Sequence, residues 1–164
     1  MQKIIIVRHG EYDKDDKTLT EDGKSSIASL ARRIAKLTKG YETKIFYASS
    51  TRTQQTAEIL AELLEAKCEK LEILECSTTH HRTRFVDLVR DTISDNSDIA
   101  IWVTHETQVA TLPGLFGRFD RQLAIGFFDN YLVPGEAFVI DLHEKTMTRF
   151  NQFGEEVVVF PKIS

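Results

Sequence analysis

Lys3-Ile4-Ile5-Ile6-Val7-Arg8-His9-Gly10 decides how this chain is to be read. An unbroken β-branched run is the pattern of a strand buried on both faces, rather than of one with a wet side. A cation, an imidazole and a glycine then stand where that strand ends. In open α/β sheets, ligands bind at the carboxyl ends of the strands, so Arg8, His9 and Gly10 are candidate site residues by position alone.

Two further apolar runs repeat the arrangement. Ile45-Phe46-Tyr47 leads into Ser49-Ser50-Thr51-Arg52-Thr53-Gln54-Gln55-Thr56-Ala57, which opens a helix. Ile99-Ala100-Ile101-Trp102-Val103 ends in Thr104-His105-Glu106. Between the first two lies Leu19-Thr20-Glu21-Asp22-Gly23-Lys24, a helix-entry signature in which Thr20 can cap and the acids suit the positive end. Arg8 with His9, then Arg52, then His105 each follow a strand. Two imidazoles and two fixed cations form a set suited to holding and transferring a phosphoryl group.

The spacing around these runs predicts alternating strands and amphipathic helices. That is the mark of an α/β chain in three α/β/α layers, with a mainly parallel sheet covered by helices on both faces. A first helix runs from Thr20 to Gly40 with Ile27, Leu30, Ala31, Ile34 and Leu37 on its apolar stripe. A second spans Thr51 to Glu65 and buries Ala57, Leu60, Ala61 and Leu64. Leu71 to Leu74 reads as a short strand, and Phe85, Leu88, Val89 and Ile93 stripe a third helix. A fourth covers Glu106 to Phe116, interrupted at Pro113-Gly114. Ala137 to Leu142 and Met147 to Asn151 form a hairpin around His143-Glu144-Lys145.

Composition narrows the function classes. At 164 residues, without repeats or linkers, residues 1–164 are expected to form a single domain with its own core. A net charge of −4 and a pI near 5.7 leave no basic footprint for nucleic acid. Two cysteines, Cys68 and Cys76, are too few for a disulfide framework and fit a reducing compartment. Neither a leader nor a membrane span is evident, so a cytoplasmic protein is expected.

The ordered set resembles the histidine phosphatase superfamily, the phosphoglycerate-mutase-like proteins. Arg8-His9-Gly10 matches its RHG signature and Leu19-Thr20 with Gly23 its LTxxG. Arg52 with Gln55-Thr56-Ala57 matches the SPxxRAxQTA segment, and Thr104-His105 the second histidine after a hydrophobic strand. The small size is similar to that of SixA-type phosphohistidine phosphatases. The resemblance implies a phosphoglycerate-mutase-like fold and a reaction in which His9 attacks phosphorus and water then hydrolyses the phosphohistidine. Arg8, Arg52, His105 and Gly10 would bind the phosphoryl oxygens. Glu75, in Ile73-Leu74-Glu75, matches the acid that family phosphomonoesterases place after the third strand. A basic leaving group needs such an acid; imidazole leaving phosphohistidine needs it far less. The partners implied are a phosphorylated protein, phosphohistidine included, or a small phosphate monoester. No metal or cofactor is implied, and His105-Glu106 has Val109 where a zincin would need its second histidine.

Departures and rivals complete the reading. Ala48 and Ser49 replace the family's Ser-Pro, and Glu11, Asp13, Asp15 and Asp16 crowd the loop after Gly10, where they would repel an anion unless they face solvent. His80, His81, Arg82 and Arg84 form a local basic cluster. Cys76-Ser77-Thr78-Thr79-His80-His81-Arg82-Thr83 satisfies the C-x5-R-[ST] pattern of cysteine-dependent phosphatases, but no glycine relieves the loop and two β-branched threonines stiffen it. A phosphoprotein-binding module with weak catalysis is the alternative outside the enzymes.

Overall fold

Strand β1, Lys3–Arg8, lies at the heart of the molecule because its side chains alternate between two buried surfaces. Ile4 and Ile6 join one apolar cluster, Ile5 and Val7 the other, and all four are fully buried. Strand β4, Ile99–Thr104, repeats the alternation, with Ala100 and Trp102 on the first side and Ile99, Ile101 and Val103 on the second. Each such aliphatic residue contributes about 1.5–3 kcal/mol on burial, so both layers fix these two strands and their ends are rigid. The computed structural model describes residues 1–75, 82–94, 97–119 and 132–157, apart from the side chains of 82–85, 93 and 115–119.

Around β1 and β4 the chain adds α1 (Glu21–Thr38), β2 (Thr43–Tyr47), α2 (Thr51–Leu64), β3 (Lys67–Lys70), α3 (Arg82–Ser94) and α4 (Glu106–Phe119). It closes with β5 (Ala137–Asp141), β6 (Thr146–Asn151) and β7 (Gly154–Val157). The sheet order is β3-β2-β4-β1-β5-β6-β7. Pairings among β3, β2, β4 and β1 are parallel, whereas β5, β6 and β7 join antiparallel. The sheet is thus mostly but not wholly parallel. Helices α1 and α2 supply Ile27, Leu30, Ala31, Ile34, Ala57 and Leu60 to one face. Val89 of α3, with Val109 and Leu112 of α4, packs on the other. No helix among the described residues is long and apolar enough to cross a membrane.

Two expectations need correction. Leu71 to Leu74 is not a strand: β3 ends at Lys70 and Glu72–Glu75 forms a 3-10 turn. Leu71 N–H reaches back to the Tyr47 carbonyl at 2.8 Å, and the fully buried Leu74 anchors the turn. Helix α4 runs through Pro113 to Phe119 instead of breaking. Proline costs the helix a hydrogen bond, but Val109, Leu112, Pro113 and Gly114 are all buried, and that packing holds the segment against the sheet. The terminal hairpin, predicted correctly, is extended by an unforeseen β7.

The LTxxG segment does structural work. Thr20 Oγ1 caps α1 by accepting from Gly23 N–H at 3.0 Å, and Thr20 N–H donates to the Glu11 carbonyl at 3.0 Å. A Cβ on Gly23 would stand 2.1 Å from the Glu11 carbonyl oxygen, closer than any side chain can approach. Replacing Gly23 therefore pushes on the loop that follows His9. Gly23→Ala is expected to destabilise by about 1–3 kcal/mol, lowering the thermal midpoint by roughly 2–10 °C. It should also reduce kcat/KM, measured on p-nitrophenyl phosphate, because the displaced backbone carries the site.

Candidate active site

Residues from four elements meet at the carboxyl ends of the parallel strands. In the β1–β4 register Arg8 pairs with Thr104, so His9 and His105 leave neighbouring strands side by side, with ring centroids 5.4 Å apart. His9 N–H donates to the Thr104 carbonyl at 3.1 Å, holding the two exits together. Arg52 comes from the first turn of α2, whose N-cap is Ser50. Glu75 arrives at the end of the 3-10 turn, which Thr104 Oγ1 ties to β4 by donating to the Leu74 carbonyl at 2.7 Å.

Hydrogen-bond chemistry assigns the protons. His9 Nδ1 lies 2.8 Å from the Gly10 carbonyl, which can only accept, so Nδ1 carries the hydrogen. Arg52 Nε, which can only donate, points at His9 Nε2 from 3.1 Å. His9 is therefore a neutral imidazole whose Nε2 lone pair faces into the cluster. By the same logic His105 Nδ1 accepts from Arg52 Nη2 at 3.2 Å, and its Nε2–H donates to Glu75 Oε2 at 3.1 Å. Burial is the main cause pushing the His9 pKa down to about 4; Arg52, His105 and Arg8 push the same way, and the Gly10 bond opposes them. Burial also lowers His105, against the upward pull of Glu75.

Arg8 binds the Leu132 carbonyl through Nη1 at 2.6 Å and Glu106 Oε2 through Nη2 at 2.7 Å. Its Nε is buried without a hydrogen-bond partner among the described residues. Glu75 Oε2 also accepts from Ser50 N–H at 3.2 Å. Two guanidinium groups thus stand against two carboxylates, with both histidines neutral. Tyr12 completes the cluster: its ring stacks 4.6 Å from the Arg52 guanidinium carbon and meets His9 edge-on at 5.3 Å. Nothing in the sequence pattern singled out Tyr12, and Glu106 was weighed only as half of a His-Glu pair. The signal for Glu106 was its place immediately after the strand-end histidine, and for Tyr12 its place in the loop after Gly10.

Arg8, His9, Arg52, Glu75 and His105 therefore converge, and Gly10 lies directly beside them. Its N–H donates to Thr56 Oγ1 at 3.1 Å, so that amide is already engaged. A Cβ there would meet the Gly23 carbonyl and Ile27 at 3.0 Å, so the glycine serves packing against α1. The acidic loop also finds its explanation. Glu11, Asp13, Asp15 and Asp16 are exposed, and Asp13 and Asp16 accept from backbone N–H groups of their own turn. His143 sits exposed beside Glu144, as a turn residue. Cys76, His80 and His81 lie outside the described residues, as do the side chains of Arg82 and Arg84, so the C-x5-R loop and the basic cluster have no structural account.

The model of the histidine phosphatase superfamily (branch 1) matches residues 4–76, which hold Arg8, His9, Arg52 and Glu75. Over that segment the chain is similar to the histidine phosphatase superfamily. Solved structures extend the likeness to the whole fold. A protein assigned as the phosphohistidine phosphatase SixA of Agrobacterium tumefaciens superposes with a TM-score of 0.62 at 12% identity, covering 98% of this chain and 97% of that one. A mycobacterial glucosyl-3-phosphoglycerate phosphatase gives 0.62 at 12% identity, with 98% of each chain covered. The protein histidine phosphatase SixA complexed with tungstate gives 0.62 at 15% identity, covering 96% and 94%. No curated protein matches the sequence. The solved structures place the whole chain in the fold that the matched segment suggests.

The protonation state of His9 is open to direct measurement. Its ring resonances, followed by NMR, should titrate near pH 4, far below the ordinary 6.5. Because the neutral form persists on acidification, the acid limb of the pH–rate profile should begin below pH 6. A His9 midpoint at 6.5 would contradict the buried, cation-flanked geometry.

Proposed function

We propose that this chain is a histidine phosphatase that transfers the phosphoryl group of its substrate to His9 Nε2 and releases it to water. One observation carries the reading: the Gly10 carbonyl fixes the proton on Nδ1, which leaves the Nε2 lone pair aimed among Arg52, His105 and Arg8. The N–P bond forms as the bond from phosphorus to the leaving group breaks. Water then attacks phosphorus, the N–P bond breaks, and orthophosphate leaves. While the imidazole is phosphorylated it is cationic, and the Nδ1–H bond to the carbonyl strengthens. Arg52 and Arg8 offer planar forks to the equatorial oxygens, and His105 adds a third donor once an entering dianion draws a proton onto Nδ1.

The substrate reading turns on Glu75. Its Oε2 accepts two hydrogen bonds, the pattern of an ionised carboxylate, while Oε1 has no partner among the described residues. A carboxylate committed in this way acts first by holding His105, and delivers a proton only from Oε1. That favours a leaving group which departs without strong acid assistance. Phosphohistidine on a protein fits: with a proton already on its distal ring nitrogen, P–N cleavage releases neutral imidazole. Likeness to the SixA structures supports the same class. A small phosphate monoester is the second substrate class, and Glu75 would there protonate the departing alkoxide.

Three measurements test this. Acid-labile, base-stable label from substrate should appear on the wild type; His9→Ala should lose both label and turnover, and Cys76→Ser should keep both. Arg52→Lys keeps the charge but loses the bidentate fork and its Nε contact to His9, so kcat/KM should fall about 10- to 100-fold, equivalent to roughly 1.4–2.7 kcal/mol. Glu75→Gln should slow hydrolysis of alkyl phosphates more than that of a phosphohistidine peptide, because protonation matters in proportion to the basicity of the departing atom. Equal slowing of both would confine Glu75 to its hold on His105.

A further inference from the structure

Arg8 is occupied before any substrate arrives. Its Nη1 is bound to the Leu132 carbonyl, its Nη2 to the Glu106 carboxylate, and its Nε is buried with no acceptor among the described residues. The two partners differ in how readily they can be displaced. The carbonyl belongs to fully buried Leu132 and is part of the scaffold. The Glu106 side chain is half exposed, at 51%, against 16% for Arg8. A group so exposed can swing into water and be solvated there at little cost. Glu106 is also the first residue of α4, directly after His105, so its backbone is held by the same strand end that presents the histidine.

We propose that Glu106 is the specificity-determining residue of the anion site: its carboxylate holds the Arg8 Nη2 that a phosphoryl oxygen requires, so every phosphate binds by displacing it. The inference rests on reading Arg8 as a phosphate ligand. A carboxylate and a phosphoryl oxygen make the same charge-assisted bond to a guanidinium, so exchanging one for the other returns only a small net gain. Phosphate by itself is consequently a weak ligand, and contacts to the leaving group must supply the rest of the affinity. A phosphoryl group carried on a large partner meets that demand, whereas free orthophosphate, the product, does not. Glu106 thereby discriminates between substrate and product even though both present the same anion, and it assists product release.

Orthovanadate and orthophosphate, as competitive inhibitors of p-nitrophenyl phosphate hydrolysis by the full chain, provide the test. Glu106→Gln and Glu106→Ala should each tighten both inhibition constants about three- to tenfold, the range expected for removing one half-exposed ionic competitor. KM for p-nitrophenyl phosphate should fall with them, and kcat should hold or fall as phosphate release slows. Glu106→Asp, which keeps the charge but shortens the reach, should lie between wild type and Ala. Tightened binding cannot come from a damaged fold, so the sign of the change separates this role from a structural one. Unchanged or weakened inhibition in both the Gln and Ala variants overturns the proposal. So does a loss of kcat in Glu106→Gln with inhibition as in wild type, which would make Glu106 a proton donor. If vanadate fails to inhibit the wild type, or inhibits Arg8→Ala equally, the phosphate reading of Arg8 falls first and the inference with it.

Discussion

The parallel pairing of β1 with β4 is the constraint on which the rest of the site depends. With Arg8 opposite Thr104, the chain leaves both strands at the same level, and the next residue on each is a histidine. A slip of one residue would turn every side chain of β1 to the other face, moving Ile4 and Ile6 into the α1–α2 cluster and His9 out of line with His105. Four fully buried aliphatic residues in β1, and four with Trp102 in β4, oppose that slip from both layers. The register is thus set by the core, well away from the chemistry, and the strand ends inherit its rigidity.

On that frame the cluster holds a balanced set of charges. Arg8 faces Glu106 and Arg52 faces two neutral imidazoles and an aromatic ring, while Glu75 is turned toward His105. Burial keeps both histidines uncharged, against which the carboxylate of Glu75 works at His105 alone. The asymmetry gives the two rings different work. His9, with no carboxylate partner, stays neutral on acidification, the state that the proposed attack on phosphorus requires. His105 is paired with Glu75, whose carboxylate favours the charged ring that burial opposes, as its proposed part as a donor requires. One type of side chain therefore serves two functions through its neighbours.

How much of this was legible in the sequence follows from what each segment's neighbours decide. The unbroken runs Ile4–Val7 and Ile99–Val103 are buried on both faces, so hydrophobicity alone identified them. Leu71–Leu74 misled because a short apolar run looks the same in a strand and in a tight turn. What decides its shape is Leu74 docking under β4 and the bond from Thr104, both long-range. Pro113 signals a break locally, yet the packing of its neighbours overrides the signal. The stacking of Tyr12 on Arg52 and the reach of Glu106 to Arg8 were not legible because both are purely spatial, joining residues of different elements. Gly10 was correctly marked as special, but its freedom from a side chain is used against α1.

The motif residues themselves divide between those that face the anion site and those that brace its loop. Leu19 N–H donates to Gln55 Oε1 at 2.7 Å, Gly10 N–H to Thr56 Oγ1, and Thr20 bridges Glu11 and Gly23. Thr56 in turn donates to the Arg52 carbonyl at 2.8 Å, so the loop after His9 and the helix carrying Arg52 are locked to one another. At about 0.5–1.5 kcal/mol each these bonds matter less for stability than for keeping His9 and the Arg52 guanidinium within reach of one another. All of these partners lie between residues 8 and 56, inside the segment the family model matches. His105 needs no such frame. Strand β4 is already fixed by β1 on one side and β2 on the other, and a histidine placed just past its end arrives in position without a motif around it. A sequence pattern is demanded where loops must be held by side chains, and it fades where a core strand does the holding.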